Sequence, residues 1–190
     1  MGIEQTEYRQ RREQLMEKIG SGTAIFRSAP TVVMHNDVEY AFRQDSDFFY
    51  LTGFNEPEAV AVLAPHHPEH RFVLFVQPKD PEKETWIGYR VGVEAAKERL
   101  GADAAYPINE LDEKLPQYLE KADRIYYRLG RDRTFNDKIF THWQRLLATY
   151  PKRGTGPIAI EDTMRVLHPM RQVKSPAELE MLRQATAISA

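Results

Sequence analysis

The chain contains no cysteine. Disulfides, thiolate zinc sites and cysteine nucleophiles are excluded, and the composition fits a reducing compartment such as the cytoplasm. Long apolar runs are also missing. Nothing is apolar for long enough to span a bilayer. The N-terminus, MGIEQTEYRQRREQLMEKIG, is charged and has no apolar stretch, so it does not read as a signal peptide. Neither sign of charge is in excess: 26 Lys and Arg stand against 28 Asp and Glu, a formal net charge of -2. No electrostatic case exists for nucleic acid or an anionic membrane as partner. Phosphate-binding and nucleophile motifs are absent as well. Gly154-Thr155-Gly156 lacks a third glycine and runs into Pro157, and there is no Gly-Lys-Ser/Thr loop or Gly-x-Ser-x-Gly elbow.

The 190 residues amount to one domain, or a domain and a piece of another. With 42% hydrophobic and 28% charged residues, the chain reads as globular rather than disordered. Residues 4–19 read as a basic, exposed helix with Tyr8, Leu15 and Ile19 on its apolar side, and Arg9, Arg11 and Arg12 on a solvated face. A strand is expected at 23–26. The aromatic run 48–53 is apolar on both alternating faces and reads as an interior strand. Strands at 59–64 and 71–77 would follow it in an antiparallel meander. Helices are then expected at 93–100, at 109–122 with Pro116 inside, and at 134–150, with a strand at 125–129, a loop at 151–157 and a short helix at 164–167. A meander followed by alternating helix and strand gives an α/β fold, a mixed β-sheet flanked by helices.

Within this framework the candidates for chemistry are few. His66-His67-Pro68-Glu69-His70 is a possible metal cluster, but Pro68 disfavours the helix that would align the rings, and a hairpin loop fits its place between strands. Asp45, Asp47, Glu56 and Glu58 flank the aromatic run; they read as turn formers rather than as paired acid–base carboxylates. Trp143 falls on a helical apolar stripe. Trp86 lies in the polar segment EKETWIGYRVG, as a contact residue or a local anchor.

The last stretch, KSPAELEMLRQATAISA, has a well-built helix start. Ser175 can cap it, Pro176 suits the first position, and Glu178 can close a capping box. Leu179, Leu182, Ala185 and Ile188 recur at helical spacing with no stop signal after them.

Three stretches together resemble one family: FRQDSDFFYLTGFNEPEAVAVL (42–63), ETWIGYRVG (84–92) and MRQVKSPAELEMLRQATAIS (170–189). They are similar, in the same order, to the N-terminal region of bacterial-type Xaa-Pro aminopeptidases (aminopeptidase P), within the creatinase/prolidase superfamily. The resemblance implies a creatinase/prolidase N-terminal domain with a ribonuclease H-like arrangement, spanning residues 1–172. Residues 173–190 would be the linker and first helix of a C-terminal pita-bread catalytic domain, cut inside that helix. Two divalent ions, usually manganese, would be held in that missing domain; no catalytic residue and no metal ligand falls in this chain. The resemblance further implies a homo-oligomer, contact with the chain's own catalytic domain, and peptides with Pro at the second position as substrates. Asp37, in HNDVEY, and Trp86 match family positions near the substrate entrance, and Arg153 falls near another. Two other readings remain open on this architecture: a peptide-binding module without catalysis, and a prolidase.

Overall fold

The computed structural model describes residues 2–189, less the side chains of Lys83 and Ile87. Helix α1 (Gln5–Ile19) leads into strand β1 (Thr23–Arg27). A small hairpin follows, β2 (Val33–His35) and β3 (Val38–Glu39), then helix α2 (Ser46–Thr52), strands β4 (Val60–Leu63) and β5 (Phe72–Val76), and helices α3 (Pro81–Ile87) and α4 (Val93–Leu100). The second half comprises β6 (Ala104–Pro107), α5 (Leu111–Leu119), β7 (Ile125–Tyr126), α6 (Arg133–Arg153), β8 (Ile160–Glu161), α7 (Met164–Gln172) and α8 (Pro176–Ser189).

The main sheet has the order β6-β5-β4-β1-β7-β8. β4 runs antiparallel to both neighbours, and the other pairings are parallel. This is the mixed sheet the sequence implies. Side chains alternate across it with the period of a strand. Phe72, Leu74 and Val76 join one core beneath α1, α2 and α4, while Val73 and Phe75 join the other beneath α5 and α6. Both faces being covered explains why β4 and β5 are apolar throughout.

The sequence reading fails at residues 48–53, which form helix α2 and not an interior strand. Local chemistry outweighs aromatic β-propensity there. The Asp45 side chain accepts from the backbone N–H groups of Asp47 and Phe48 at 2.9 and 3.0 Å, a helix N-cap. Gly53 closes the helix in the left-handed conformation, φ 66°, which an L side chain resists. Phe48, Leu51 and Thr52 then share the buried side. The meander therefore consists of β1, β4 and β5. Smaller departures follow the same logic. Helix α6 continues through Pro151 to Arg153 and stops at Gly154, φ 67°, so the first three residues of the expected 151–157 loop are helical. Helix α7 is longer than expected and carries Pro169 inside it.

Arg11 and Arg12 are the second correction. The expectation placed them on a solvated face, yet they are 5% and 3% exposed. Each guanidinium donates to backbone carbonyls far away in sequence, as described below. Arg9 does stay in solvent, paired with Glu13.

Gln44, in the stretch preceding α2, is buried and uses its whole amide. Its Oε1 accepts from the N–H groups of Ala29 and Asp45 at 2.7 and 2.8 Å, and its Nε2 donates to the carbonyls of Phe54 and Glu56 at 3.2 and 2.9 Å. It ties together the segments on both sides of α2 and satisfies backbone groups that no strand or helix would.

Candidate functional site

Asp37 sits at the turn of the β2–β3 hairpin, next to Asn36, whose φ is 51°. Sequence reasoning did not find this hairpin. Its strands are too short for a periodic signal, and only Asn36, a residue tolerant of left-handed geometry, hints at the turn. The hairpin is apolar yet uncovered: Val32, Val33, Met34, Val38 and Tyr40 are each more than half exposed. Several exposed apolar side chains on one small hairpin mark a candidate contact region.

Trp86 lies on α3 and is 88% exposed, so it anchors nothing within the domain. The loop after α3 is held from below. Glu56 Oε1 accepts from the Val91 N–H at 2.8 Å, and Glu84 Oε1 from the Arg90 N–H at 3.3 Å. Burial raises the Glu56 pKa against the opposing pull of that N–H. Glu56 is thus a loop anchor, more than the turn former expected from sequence. Arg153, in the last turn of α6, pairs with Glu120 at 2.9 Å. Asp37, Trp86 and Arg153 stand on three separate elements, and among the described residues no hydrogen bond or ion pair joins any two of them.

The His66–His70 segment connects β4 to β5, as a hairpin loop. It is locally structured. His67 Nδ1 accepts from the His70 N–H at 2.9 Å, the two rings stack with centroids 5.3 Å apart, and His70 Nδ1 lies 3.3 Å from the Tyr118 hydroxyl. Among the described residues no group of three or more His, Asp or Glu is placed to hold a metal ion. The metal pair that the resemblance implies therefore finds no fitting ligand set among the described residues.

His66 has both ring nitrogens out of solvent without a well-formed hydrogen bond. Burial lowers its pKa below the ordinary 6.5, and the neighbouring His67 adds to the effect. The folded chain binds this proton more weakly than the unfolded chain does. Stability is therefore full above the unfolded value and falls as pH drops through 6.5 towards the lower folded pKa. The urea midpoint of the chain is expected to drop between pH 7 and pH 5, and a His66→Asn variant to lose measurably less over the same interval. Equal losses would show that His66 is not a source of the acid sensitivity.

The root of α8 is a densely bonded polar site. The capping box forms as its residues dictate: the Glu178 N–H donates to Ser175 Oγ at 3.1 Å, and the Ser175 N–H to Glu178 Oε2 at 2.9 Å. Ser175 Oγ also meets Glu7 Oε1 at 2.6 Å. Arg11 pairs with Glu7, lies 3.4 Å from Glu178, donates to the Tyr50 carbonyl at 3.1 Å and covers the Tyr50 ring at 4.2 Å. Arg171, 5.7 Å from the centroid of the same Tyr50 ring, pairs with Asp47, which is buried. Asp47 is thus an ion-pair anchor rather than the local turn former expected. The beginning of α8 is bound to α1, and through Arg11 to α2, while the rest projects: Leu179, Leu182 and Ile188 are 42%, 53% and 88% exposed.

Comparison with known proteins places this geometry. Residues 8–126 match the family model of the aminopeptidase P N-terminal domain. The Xaa-Pro aminopeptidase of Escherichia coli is 38% identical over 190 residues, covering 99% of this chain and 43% of that protein. The mitochondrial intermediate cleaving peptidase 55 of Arabidopsis thaliana is 33% identical, covering 99% of this chain and 36% of that protein. The solved structure of Pseudomonas aeruginosa aminopeptidase PepP superposes with a TM-score of 0.92 at 38% identity, over all of this chain and 43% of that one. The chain thus spans under half the length of these relatives.

Proposed function

The chain belongs to the aminopeptidase P family through its N-terminal domain, and on that footing we propose that it is the non-catalytic part of a metal-dependent Xaa-Pro aminopeptidase. The parent enzyme would hydrolyse the bond between an N-terminal residue and a following Pro. That tertiary amide has no N–H and an unusual cis/trans balance, so it calls for a dedicated site. The observation that carries the reading is the match along 99% of this chain but 43% of the Escherichia coli enzyme. The remaining length is where the proposal puts the two divalent ions, manganese by the family resemblance, and no step of their chemistry is assigned to residues of this chain.

In the proposed division, residues 1–172 form the domain and residues 173–190 the linker and first helix of the catalytic domain. The exposed Leu179, Leu182 and Ile188 support this, because a downstream domain would cover them. The exposed apolar hairpin 32–40 is proposed as a contact with a neighbouring subunit of a homo-oligomer, carrying Asp37 towards the substrate entrance. Asp37 would receive the peptide's terminal ammonium. Trp86 would offer its ring to the substrate, and Arg153 would line the same entrance. The proposed setting is the cytoplasm, which the absence of cysteine fits; no helix of the described residues is long and apolar enough to cross a membrane.

The test uses the chain extended by its downstream domain and an Xaa-Pro peptide as substrate. Asp37→Asn and Trp86→Ala are each expected to raise KM about tenfold, the worth of one charge-assisted or stacking contact. Both residues are exposed, so the unfolding midpoint should stay put. Unchanged KM in both variants would remove these residues from the entrance.

A further inference from the structure

The sheet has a topological switch point that the peptidase reading leaves unused. β1 and β7 lie side by side and parallel, Thr23 against Ile125 and Ala24 against Tyr126. After β1 the chain passes to α2, whose Phe48 and Leu51 pack into the core on one face. After β7 it passes to α6, whose Phe135 and Ile139 pack into the core on the other. The two connections diverge to opposite sides, so the carboxyl ends of these strands open into a crevice. In open α/β sheets this is the position where ligands bind. A cavity of about 710 Å³ occupies it, of a size suited to a small organic molecule.

The charge of the crevice is lopsided. Arg27, Arg43, Arg128, Arg131 and Arg171 line it, against Asp45, Asp47 and Asp132. The aspartates do not exhaust the arginines. Arg27 pairs with Asp132, Arg131 with Asp45 and Arg171 with Asp47. Arg128 stands 3.6 Å from the already paired Asp47. Arg43 is exposed and among the described residues has no ion pair or hydrogen bond, although it borders both this cavity and the adjoining one of about 800 Å³. Apolar walls from Ile25, Phe26 and Tyr127 complete the lining.

We propose that this crevice binds a small organic anion, a carboxylate or phosphate ester with an apolar body, held by Arg43 and Arg128. Planar guanidinium groups match the paired oxygens of both anions, and the two surplus positive charges suit one or two negative ones. The site is independent of the peptidase reading, since it uses neither Asp37, Trp86 nor Arg153.

Calorimetric titration of this chain with benzoate, phenyl phosphate and the neutral benzamide tests the proposal, with amide chemical shifts to locate the site. At least one anion is expected to saturate the chain and to shift residues 27–29 and 127–131, and the tighter of the two identifies the ligand chemistry. Benzamide should not bind, added salt should weaken binding, and Arg43→Gln and Arg128→Gln should each weaken it about tenfold, the worth of one charge-assisted contact. Because Arg43 is exposed and unpaired, its variant should fold as the parent chain does. The proposal is overturned if neither anion binds more tightly than about 10 mM, if benzamide binds as well as the anions, or if both variants bind like the unaltered chain.

Discussion

Replacing Arg12 with methionine is expected to lower the stability of the fold by about 3 kcal/mol or more, read from urea unfolding. The side chain is almost wholly buried, and its guanidinium donates to the Leu51 carbonyl at 2.9 Å and the Leu100 carbonyl at 3.1 Å. These carbonyls belong to the last turns of α2 and α4, where helices leave acceptors without intrahelical partners. The glycine caps serve other acceptors, Gly53 N–H reaching Phe49 and Gly101 N–H reaching Lys97. A single cation from α1 therefore finishes two helices, and it also faces the negative ends of both. It lies 4.0 Å from the centroid of the Phe72 ring on β5, which fixes the helix layer to the sheet. Burial lowers the Arg12 pKa to about 10, with Arg9 nearby adding to the effect, so the charge is still present at neutral pH. Methionine keeps most of the stem volume but leaves two buried carbonyls without donors. Arg12→Lys should fall between the two, since an ammonium cannot fork to both helix ends in the same geometry. A loss below about 0.5 kcal/mol for the methionine variant would mean that the two carbonyls find other donors.

Arg11→Ala is expected to detach α8 from the domain. The substitution removes the donor to the Tyr50 carbonyl and the cation shared by Glu7 and Glu178, whose side chains are 19% and 21% exposed. Two carboxylates would then face the same gap with no counter-charge. A global loss of about 2–3 kcal/mol should accompany it, the range for breaking a partly buried charged bond. Hydrogen exchange gives the sharper reading. Helix α8 has 14 residues and no buried side chain, and a helix that short is marginal without tertiary support. Its amides should lose most of their protection in the variant, while those of β4 and β5 remain protected up to the global limit. If α8 exchanges equally fast in both forms, Arg11 does not fix the direction in which the chain leaves the domain.

What was legible in the sequence is what local chemistry decides. The capping box at Ser175 and Glu178, the helix at 93–100 ended by Gly101, and the apolar strands at β4 and β5 each carry their cause within a few residues. The stretch DSDFFYLTG contains both answers, an aromatic run that suggests a strand and a pair of caps that form a helix; the caps decide. Arg11 and Arg12 could not be read correctly, because their acceptors are carbonyls 39 and 88 positions away. A carbonyl has no sequence signature, so a buried arginine beside acids looks like a solvated one. The same holds for the crevice, whose five arginines come from four separate stretches of chain and meet only once β1 and β7 pair. Asp37 and Arg153 rest on family resemblance alone, whereas Trp86 also stands out as an aromatic in a polar, glycine-containing segment. No periodicity marks them, and their exposure on separate elements is a property of the fold that a single sequence does not display.

On the proposed reading this chain accompanies catalysis without performing it. The measurement to make is release of the N-terminal residue from an Xaa-Pro peptide with manganese added, comparing this chain with one extended by the proposed catalytic domain. Release is expected from the longer chain, and none above background from this one. Release by this chain alone would contradict it, and would return the chemistry to the carboxylates and histidines within residues 1–190.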